Sequence, residues 1–219
     1  MIKDEDQPMT EKPNRAVIFD LDGILVDSTA VVERAWRWWA EGHGLAVAEV
    51  LAIAHGRPSR DVVLELAPDL DSEAEARRLD GWEAEHSRGM MAMPGAAECL
   101  MTARRDAWAV VTSGSRELAT ARLDAAGLPL PRVLVTADDV EHGKPHPEPY
   151  QRASRALRVL PTSCLVVEDS PAGIAAAKGA EMTVLAVSTT HQASALQEAD
   201  VVLGSMHDVD RYLRASSGQ

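Results

Sequence analysis

Short apolar segments of this 219-residue chain are followed by residues that can carry chemistry. The residues in these positions are Asp20 and Asp22, Thr112 with Ser113 and Gly114, Lys144, and Glu168 with Asp169. If the segments are parallel strands, their carboxyl ends meet at one edge of a sheet, which is where ligands bind in such folds. We therefore expect these carboxylates, hydroxyls and the lysine to form one site.

The combination is typical of phosphoryl transfer. Clustered carboxylates beside a phosphate need a cation, and Mg²⁺ takes oxygen ligands from carboxylates, phosphate and water. We expect Ser113 and Gly114 to begin a helix, whose free N–H groups favour an anion, and Lys144 adds positive charge. One carboxylate can attack phosphorus. A second one, two residues further on, can protonate the leaving oxygen and later activate water.

Six short apolar segments that lack polar alternation predict strands covered on both faces. They are residues 16–20, 108–112, 132–136, 164–168, 183–187 and 200–203. Helical patterns separate them, and repetition of strand and helix predicts a parallel sheet with crossover helices. The expected fold class is α/β, a Rossmann-like parallel sheet core with helices on both faces.

Residues 28–93 interrupt this rhythm, and no strand is predicted there. Three helices are expected, over residues 29–44, 61–67 and 72–86. An insertion of this size predicts a smaller helical domain on a core of residues 15–27 and 94–219, after a flexible tail over residues 1–14. Trp36, Trp38 and Trp39 are expected to pack the core of the insertion. Contact between one of them and a substrate is the alternative.

Composition excludes several classes of protein. The chain has 34 acidic and 22 basic residues, a net charge of −12, which disfavours nucleic acid and anionic membranes as partners. No segment approaches the roughly 18 apolar residues of a membrane span, and the polar N-terminus does not resemble a signal peptide. Cys99 and Cys164 are expected to be buried thiols, which favours a reducing, cytoplasmic location. A monomer is expected, because no heptad or exposed apolar stripe stands out.

Four motifs occur in order along the chain: DLDGILVDS, VVTSGS, GKPHPEPY and VVEDSPAGIAAAKGA. Any one of them is weak evidence, but four in order at predicted strand ends resemble the haloacid dehalogenase superfamily over about residues 15–187. The helical insertion resembles the cap domain of its first subclass, subfamily IA. The resemblance implies a Mg²⁺-dependent hydrolase that forms an aspartyl-phosphate intermediate.

The resemblance also implies a role for each motif residue. Asp20 is the implied nucleophile, and Asp22 is the implied general acid and base. The implied ligands of the phosphoryl group are Thr112, Lys144 and the backbone of Ser113 and Gly114. The implied ligands of Mg²⁺ are Asp20, the carbonyl of Asp22, Asp169 and, through water, Glu168.

Two positions depart from the common motifs. Ile24 stands where the motif usually has Thr or Val, and its β-branched side chain suits an extended backbone. Glu181 stands where a glycine is common, and a left-handed conformation there would cost about 1 kcal/mol. Neither change removes a reacting group.

Within the superfamily, HGRPSRDVV, TADDVEHGKPHPEPY and EDSPAGIAAAKGA are similar to glycerol-phosphate and 2-deoxyglucose-6-phosphate phosphatases. The similarity implies a small phosphorylated sugar or polyol as the substrate. The candidate cap contacts to that substrate are His55, Gly56, Arg57, Ser59 and Arg60. Arg57 and Arg60 equally suit surface ion pairs with the acidic insertion.

Two other functions compete with a phosphatase. One is a phosphosugar mutase similar to β-phosphoglucomutase, and the other is a non-catalytic module with the same fold. Mutases of this architecture use a cap histidine at the position of Val32 and also a cap lysine, and the insertion has no lysine. The complete set of motif residues opposes the module. A phosphatase is therefore favoured.

Overall fold

The computed structural model describes residues 16–54, 57–103 and 108–217, so the expected tail and the candidates His55 and Gly56 lie outside the described residues. The strands are β1 (Ala16–Phe19), β2 (Val26–Asp27), β3 (Met91–Ala92), β4 (Trp108–Val111), β5 (Leu134–Val135), β6 (Cys164–Glu168), β7 (Thr183–Val187) and β8 (Val201–Leu203). The helices are α1 (Thr29–Gly42), α2 (Val47–Ala54), α3 (Ser59–Leu66), α4 (Ser72–Glu85), α5 (Ala96–Thr102), α6 (Arg116–Ala125), α7 (Glu148–Leu157), α8 (Pro171–Gly179) and α9 (Met206–Ser217).

Six strands form one parallel sheet in the order β5-β4-β1-β6-β7-β8. The side chains of the central strand β1 alternate between the two faces: Val17 and Phe19 pack in one core cluster, Ala16 and Ile18 in the other. Because both faces are buried, the strand carries no polar alternation. The α/β fold class is confirmed, and a strand lies within each of the six predicted segments.

The helix after β4 begins later than predicted. Its N-cap is Ser115, whose Oγ accepts a hydrogen bond from the backbone N–H of Leu118, and α6 starts at Arg116. The expectation that Ser113 and Gly114 begin this helix is wrong, because both residues lie in the loop before the N-cap. Serines at both positions suit an N-cap, so the sequence alone does not choose between them.

The insertion buries a hydrophobic cluster of its own among helices α1 to α4. Trp36 and Trp39 are 2% and 1% exposed, and their rings meet edge to face with centroids 5.5 Å apart. Trp38 stacks on Trp82, with a centroid separation of 5.8 Å. The expectation that these tryptophans pack the core of the insertion is confirmed.

Two elements of the insertion differ from the prediction. Helix α2 was not expected, because its sequence VAEVLAIA has a single polar residue, Glu49, and therefore no visible polar face. The expectation of no strand is also wrong, since β3 pairs antiparallel with β2. This short ladder joins the two chain segments that lead into and out of the insertion.

Other sequence expectations concern the cysteines and membrane spans. Cys99 and Cys164 are both free and buried, as predicted. Among the described helices, none combines the length and the apolar character that crossing a bilayer requires.

Glu181, just after α8, adopts the left-handed conformation with φ of 63°. We expect Glu181→Gly to raise the free energy of unfolding by about 0.5–1 kcal/mol, because the relieved strain exceeds the chain entropy that glycine adds to the unfolded state. Urea denaturation measures the change. As a control, Glu117→Gly in the first turn of α6 should lower the free energy of unfolding by about 0.5–1 kcal/mol, because glycine adds chain entropy to the unfolded state and the favourable negative charge near the helix N-terminus is lost. Equal destabilisation by both substitutions would contradict the argument.

Candidate active site

A buried lysine joins the ends of β1 and β6. Asp20 directly follows β1, and its backbone N–H donates to the carbonyl of Val167 at 2.9 Å. Lys144 donates from Nζ to Asp20 Oδ1 and to Glu168 Oε1, both at 2.5 Å. Asp20 and Lys144 are each 7% exposed, and Glu168 is 0% exposed. The structure therefore brings the predicted nucleophile and the predicted lysine into direct contact.

Burial and the opposite charge of a neighbour shift the pKa values of Asp20 and Lys144 in opposite directions. Burial raises the pKa of Asp20 to about 7, against the lowering effect of Lys144. Burial also works to lower the pKa of Lys144, but the neighbouring charges of Asp20 and Glu168 outweigh it and raise that pKa well above its ordinary value. Lys144 is therefore a fixed positive charge at this end of the sheet.

Glu168 has both carboxylate oxygens engaged by protein donors. Oε1 accepts from Lys144 and from the hydroxyl of Tyr150 at 2.8 Å. Oε2 accepts from the backbone N–H groups of Asp169 and Ser170 at 2.9 and 3.0 Å, which lie at the start of α8. These contacts make Glu168 a positioning residue for Lys144. Sequence reasoning assigned no role to Tyr150, although it ends the motif GKPHPEPY.

Three carboxylates at this end of the sheet form a cluster that suits a divalent cation. Oxygen atoms of Asp20, Glu168 and Asp169 lie within 4.8 Å of one another. Burial raises the pKa of Asp169 well above its ordinary value, and the charges of Asp20 and Glu168 add to the effect. A single lysine leaves this cluster with excess negative charge. The donor set therefore fits Mg²⁺, which takes carboxylate oxygens.

Gly23 marks how closely the loop after β1 approaches this cluster. A Cβ built on Gly23 would lie 2.0 Å from Asp169 Oδ2, and the residue has φ of 76°. The same oxygen accepts a hydrogen bond from Thr190 Oγ1 at 2.5 Å. The DLDG motif therefore needs glycine at this position for both conformational and steric reasons.

Asp22 faces a different set of partners. Its Oδ2 accepts from Arg122 Nη1 at 2.7 Å and from Thr112 Oγ1 at 3.5 Å. Its Oδ1 is buried without a hydrogen-bond partner in the described part of the chain. The contact between Thr112 and Asp22 links the second motif to the first, and within the second motif the backbone N–H of Gly114 donates to Thr112 Oγ1 at 3.2 Å.

Sequence reasoning missed Arg122, although a signal was present. The buried residues of α6 are Leu118, Ala119, Arg122 and Leu123, which form one face of the helix. An arginine within an apolar helical stripe needs a buried partner. Arg122 is 4% exposed, and its Nη2 donates to Glu83 of α4.

A cavity of about 170 Å³ lies between the core and the insertion. The predicted residues that line it are Asp20, Asp22, Ser113, Gly114, Lys144, Asp169, Arg57 and Ser59. Thr112 and Glu168 are not among the lining residues, but they contact Asp22 and Lys144, which are. Asp80, Glu83 and Arg122 also line it, and the motifs gave none of them a role. Trp36 lines it as well, so the alternative of contact between an insertion tryptophan and a substrate stays open for this residue.

The two candidate arginines of the insertion differ in position. Arg57 lines the cavity, while its Nη2 donates to Glu65 at 2.8 Å. Arg60 pairs with Glu73 at 3.0 Å and is not among the residues that line the cavity. For Arg60, the geometry favours the surface ion pair over substrate contact.

Gly173 of α8 allows the carboxylate of Glu168 to reach the start of that helix. A Cβ at Gly173 would lie 1.7 Å from Glu168 Oε1, whereas a Cβ at Gly81 of α4 meets nothing within 4 Å. We expect Gly173→Ala to lower the free energy of unfolding by about 1–3 kcal/mol, measured by urea denaturation. The matched control Gly81→Ala should leave it unchanged or raise it by up to about 1 kcal/mol. A neutral Gly173→Ala variant would contradict the packing of Glu168.

Comparison with known proteins agrees with this geometry. Residues 14–181 match the haloacid dehalogenase-like hydrolases. Hexitol phosphatase A from Escherichia coli (strain K12) is 42% identical over 200 residues, which are 89% of this chain and 93% of the relative. Glycerol-1-phosphate phosphohydrolase 1 from Saccharomyces cerevisiae (strain ATCC 204508 / S288c) is 33% identical over 207 residues, or 87% and 83% of the two chains.

Solved structures share the fold as well. The crystal structure of β-phosphoglucomutase from Clostridium difficile superposes with a TM-score of 0.76 at 21% identity, covering 94% of this chain and 99% of that one. At this identity the likeness shows the fold alone. The family match and the identity to the phosphatases, together with the four motifs at one edge of the sheet, establish that the chain belongs to the haloacid dehalogenase-like hydrolases.

Proposed function

We propose that the protein is a Mg²⁺-dependent phosphomonoesterase that hydrolyses small sugar or polyol phosphates through an aspartyl-phosphate on Asp20. The observation that carries the proposal is the Asp20 carboxylate in the cavity wall, held at Oδ1 by a buried lysine at 2.5 Å. Asp22, two residues further on, lines the same cavity, and its side chain is 32% exposed. One carboxylate is thus fixed for attack, and the other lies in the same cavity, where it can transfer a proton.

The reaction consists of two transfers of the phosphoryl group. In the first, a carboxylate oxygen of Asp20 bonds to phosphorus, the ester P–O bond breaks, and Asp22 gives its proton to the leaving oxygen. In the second, Asp22 takes a proton from water, the water oxygen bonds to phosphorus, and the bond to Asp20 breaks. Lys144 spreads positive charge over the phosphoryl oxygens in both transfers.

The phosphoryl group would be bound by the loop after β4. Ser113 and Gly114 line the cavity, and we assign the backbone contacts to them. Thr112 supports this loop by accepting the N–H of Gly114 at 3.2 Å. Asp20, Asp169 and the carbonyl of Asp22 would hold Mg²⁺, and Glu168 adds negative charge behind them. When bound, Mg²⁺ neutralises the charge shared by the carboxylates and the phosphoryl group.

The substrate class follows from the relatives and from the cavity. According to their names, the two relatives reported above act on a hexitol phosphate and on glycerol 1-phosphate. The side of the cavity formed by α4 has the carboxylates of Asp80 and Glu83 in its wall, so it is polar and suits a substrate that carries hydroxyl groups. Arg57 and Ser59 complete that side as proposed specificity residues. A small polyhydroxyl ester suits a cavity of about 170 Å³.

A phosphosugar mutase is the second candidate, since the fold is shared with β-phosphoglucomutase. A mutase binds a substrate that carries a second phosphate, which needs an additional cation. In the described part of the cavity, Lys144, Arg122 and Arg57 are each already paired with carboxylates. Val32, at the position of the mutase histidine, lines the cavity with an apolar side chain. These observations favour hydrolysis.

We also propose a cytoplasmic monomer. Free, buried Cys99 and Cys164 are compatible with a reducing compartment. The net charge of −12 disfavours nucleic acid and anionic membranes as partners.

Asp20→Asn should reduce phosphate release from glycerol 1-phosphate or a hexitol phosphate by at least about 10³-fold, because the amide cannot act as the nucleophile. A phosphate assay with Mg²⁺, and again with a chelator, measures this. Asp27→Asn, at an exposed aspartate of β2, is the matched control and should retain wild-type activity. Phosphate release by Asp20→Asn at the wild-type rate, or full activity in the chelator, would refute the mechanism.

Product analysis separates the phosphatase from the mutase. With a hexose phosphate and Mg²⁺, we expect inorganic phosphate and free sugar in equal amounts, without stimulation by a hexose bisphosphate. The reason is that Lys144 serves the reacting phosphoryl group, while Arg122 and Arg57, the described arginines that line the cavity, are already paired with carboxylates. Phosphorus NMR follows inorganic phosphate and any isomerised sugar phosphate, and an enzymatic assay measures the free sugar. Accumulation of an isomerised sugar phosphate would favour the mutase instead.

A further inference from the structure

We propose that Arg122 and Glu83 form a latch through which the docking of α4 on α6 positions Asp22 for proton transfer. The inference rests on the proposed phosphatase function and assigns two positioning residues to it. Arg122 lies on α6 of the core, and Glu83 lies on α4 of the insertion. Neither residue belongs to the four motifs.

A single guanidinium connects the two parts of the protein. Nη1 of Arg122 donates to Asp22 Oδ2 at 2.7 Å, and Nη2 donates to Glu83 Oε2. Arg122 and Glu83 are each 4% exposed, so the link is shielded from water. A buried ion pair of this kind is strongly destabilised when one partner is removed, because the other charge is left unpaired. The position of the guanidinium therefore depends on the insertion.

A second contact supports the same docking. Asp80, three residues before Glu83 and on the same side of α4, accepts the backbone N–H of Ser115 through Oδ2 at 2.8 Å. Ser115 is the N-cap of α6, so its position is coupled to the loop that contains Ser113 and Gly114. Two carboxylates of α4 thus hold α6, one at its N-cap and the other at Arg122 in its second half.

The contact between Arg122 and Asp22 sets the orientation of the Asp22 carboxylate. Because Arg122 holds Oδ2 while Oδ1 is buried, the Asp22 carboxylate has a defined orientation in the cavity wall, where its side chain is 32% exposed. Without Glu83, the guanidinium would lose its second anchor, and Asp22 would lose the partner that orients it. Small errors in the position of a catalytic group reduce the rate substantially. The latch therefore makes proton transfer efficient when α4 lies against α6.

The test compares substrates whose leaving groups differ in their need for a proton. Glycerol 1-phosphate leaves as an alkoxide and needs the acid, whereas p-nitrophenyl phosphate leaves as a stable phenolate. In single-turnover experiments with Glu83→Gln, we expect formation of the phosphoenzyme from glycerol 1-phosphate to slow by on the order of 10²-fold. With p-nitrophenyl phosphate it should slow by less than about 3-fold. In the steady state with glycerol 1-phosphate, kcat should fall while KM stays within about 2-fold.

The matched control is Glu73→Gln, because Glu73 lies on the same helix but pairs with the exposed Arg60. It should behave as the wild type with both substrates. Arg122→Lys, which keeps the charge but not the two-pronged contact, should reproduce the difference between the substrates. If Glu83→Gln does not reach the wild-type fold by circular dichroism, Asp80→Asn at the second contact takes its place in the same comparison.

Other outcomes overturn the latch. Equal slowing with both substrates would indicate a general structural role, and a higher KM at unchanged kcat would indicate direct binding of the polyol by Glu83. Failure of the latch is distinguishable from failure of the proposed function, because in the latter case the wild-type protein would release no phosphate from either ester.

Discussion

A buried lysine held between two carboxylates is the interaction on which the rest of the site depends. Removing an ammonium and two carboxylates from water costs several kcal/mol per ion unless close partners compensate. Lys144 meets Asp20 and Glu168 at 2.5 Å each, and the two carboxylates end the neighbouring strands β1 and β6. The order of strands in the sheet is therefore part of the chemistry, since it brings both acceptors within reach of one amine.

The need of these buried charges for close partners also explains the features that surround Asp20, Lys144 and Glu168. The second oxygen of Glu168 accepts the backbone N–H groups of Asp169 and of Ser170, the N-cap of α8, which fixes the carboxylate relative to that helix. Tyr150 from α7 donates to its first oxygen, and Gly173 leaves the space that the carboxylate occupies. Two helices, α7 and α8, and two strands, β1 and β6, thus cooperate through Lys144 to hold a single oxygen of Asp20. Such rigidity suits a nucleophile that must lie in line with phosphorus.

Two kinds of electrostatic surface meet across the cavity. On the core side, Lys144 and the acidic cluster suit a phosphoryl group with its cation. On the side of the insertion, the charge of Arg122 is balanced by Asp22 and Glu83, and Asp80 adds a further carboxylate. A dianionic group is favoured at one end and neutral hydroxyl groups at the other. In the proposed reaction, this polarity would orient a monophosphate ester of a polyol in one direction.

The sequence by itself determined the parallel sheet, the family and the motif residues at the strand ends, because short apolar runs and close spacing are local properties of the chain. It did not determine the start of α6, the existence of α2, or the roles of Arg122, Glu83 and Tyr150. On α4, Glu83 lies on one buried face of the helix with Glu75 and Leu79. A carboxylate on a buried face needs a partner, but the sequence pattern does not identify that partner. Only the tertiary structure decided that, because the packing of α4 on α6 brings together charges 39 residues apart.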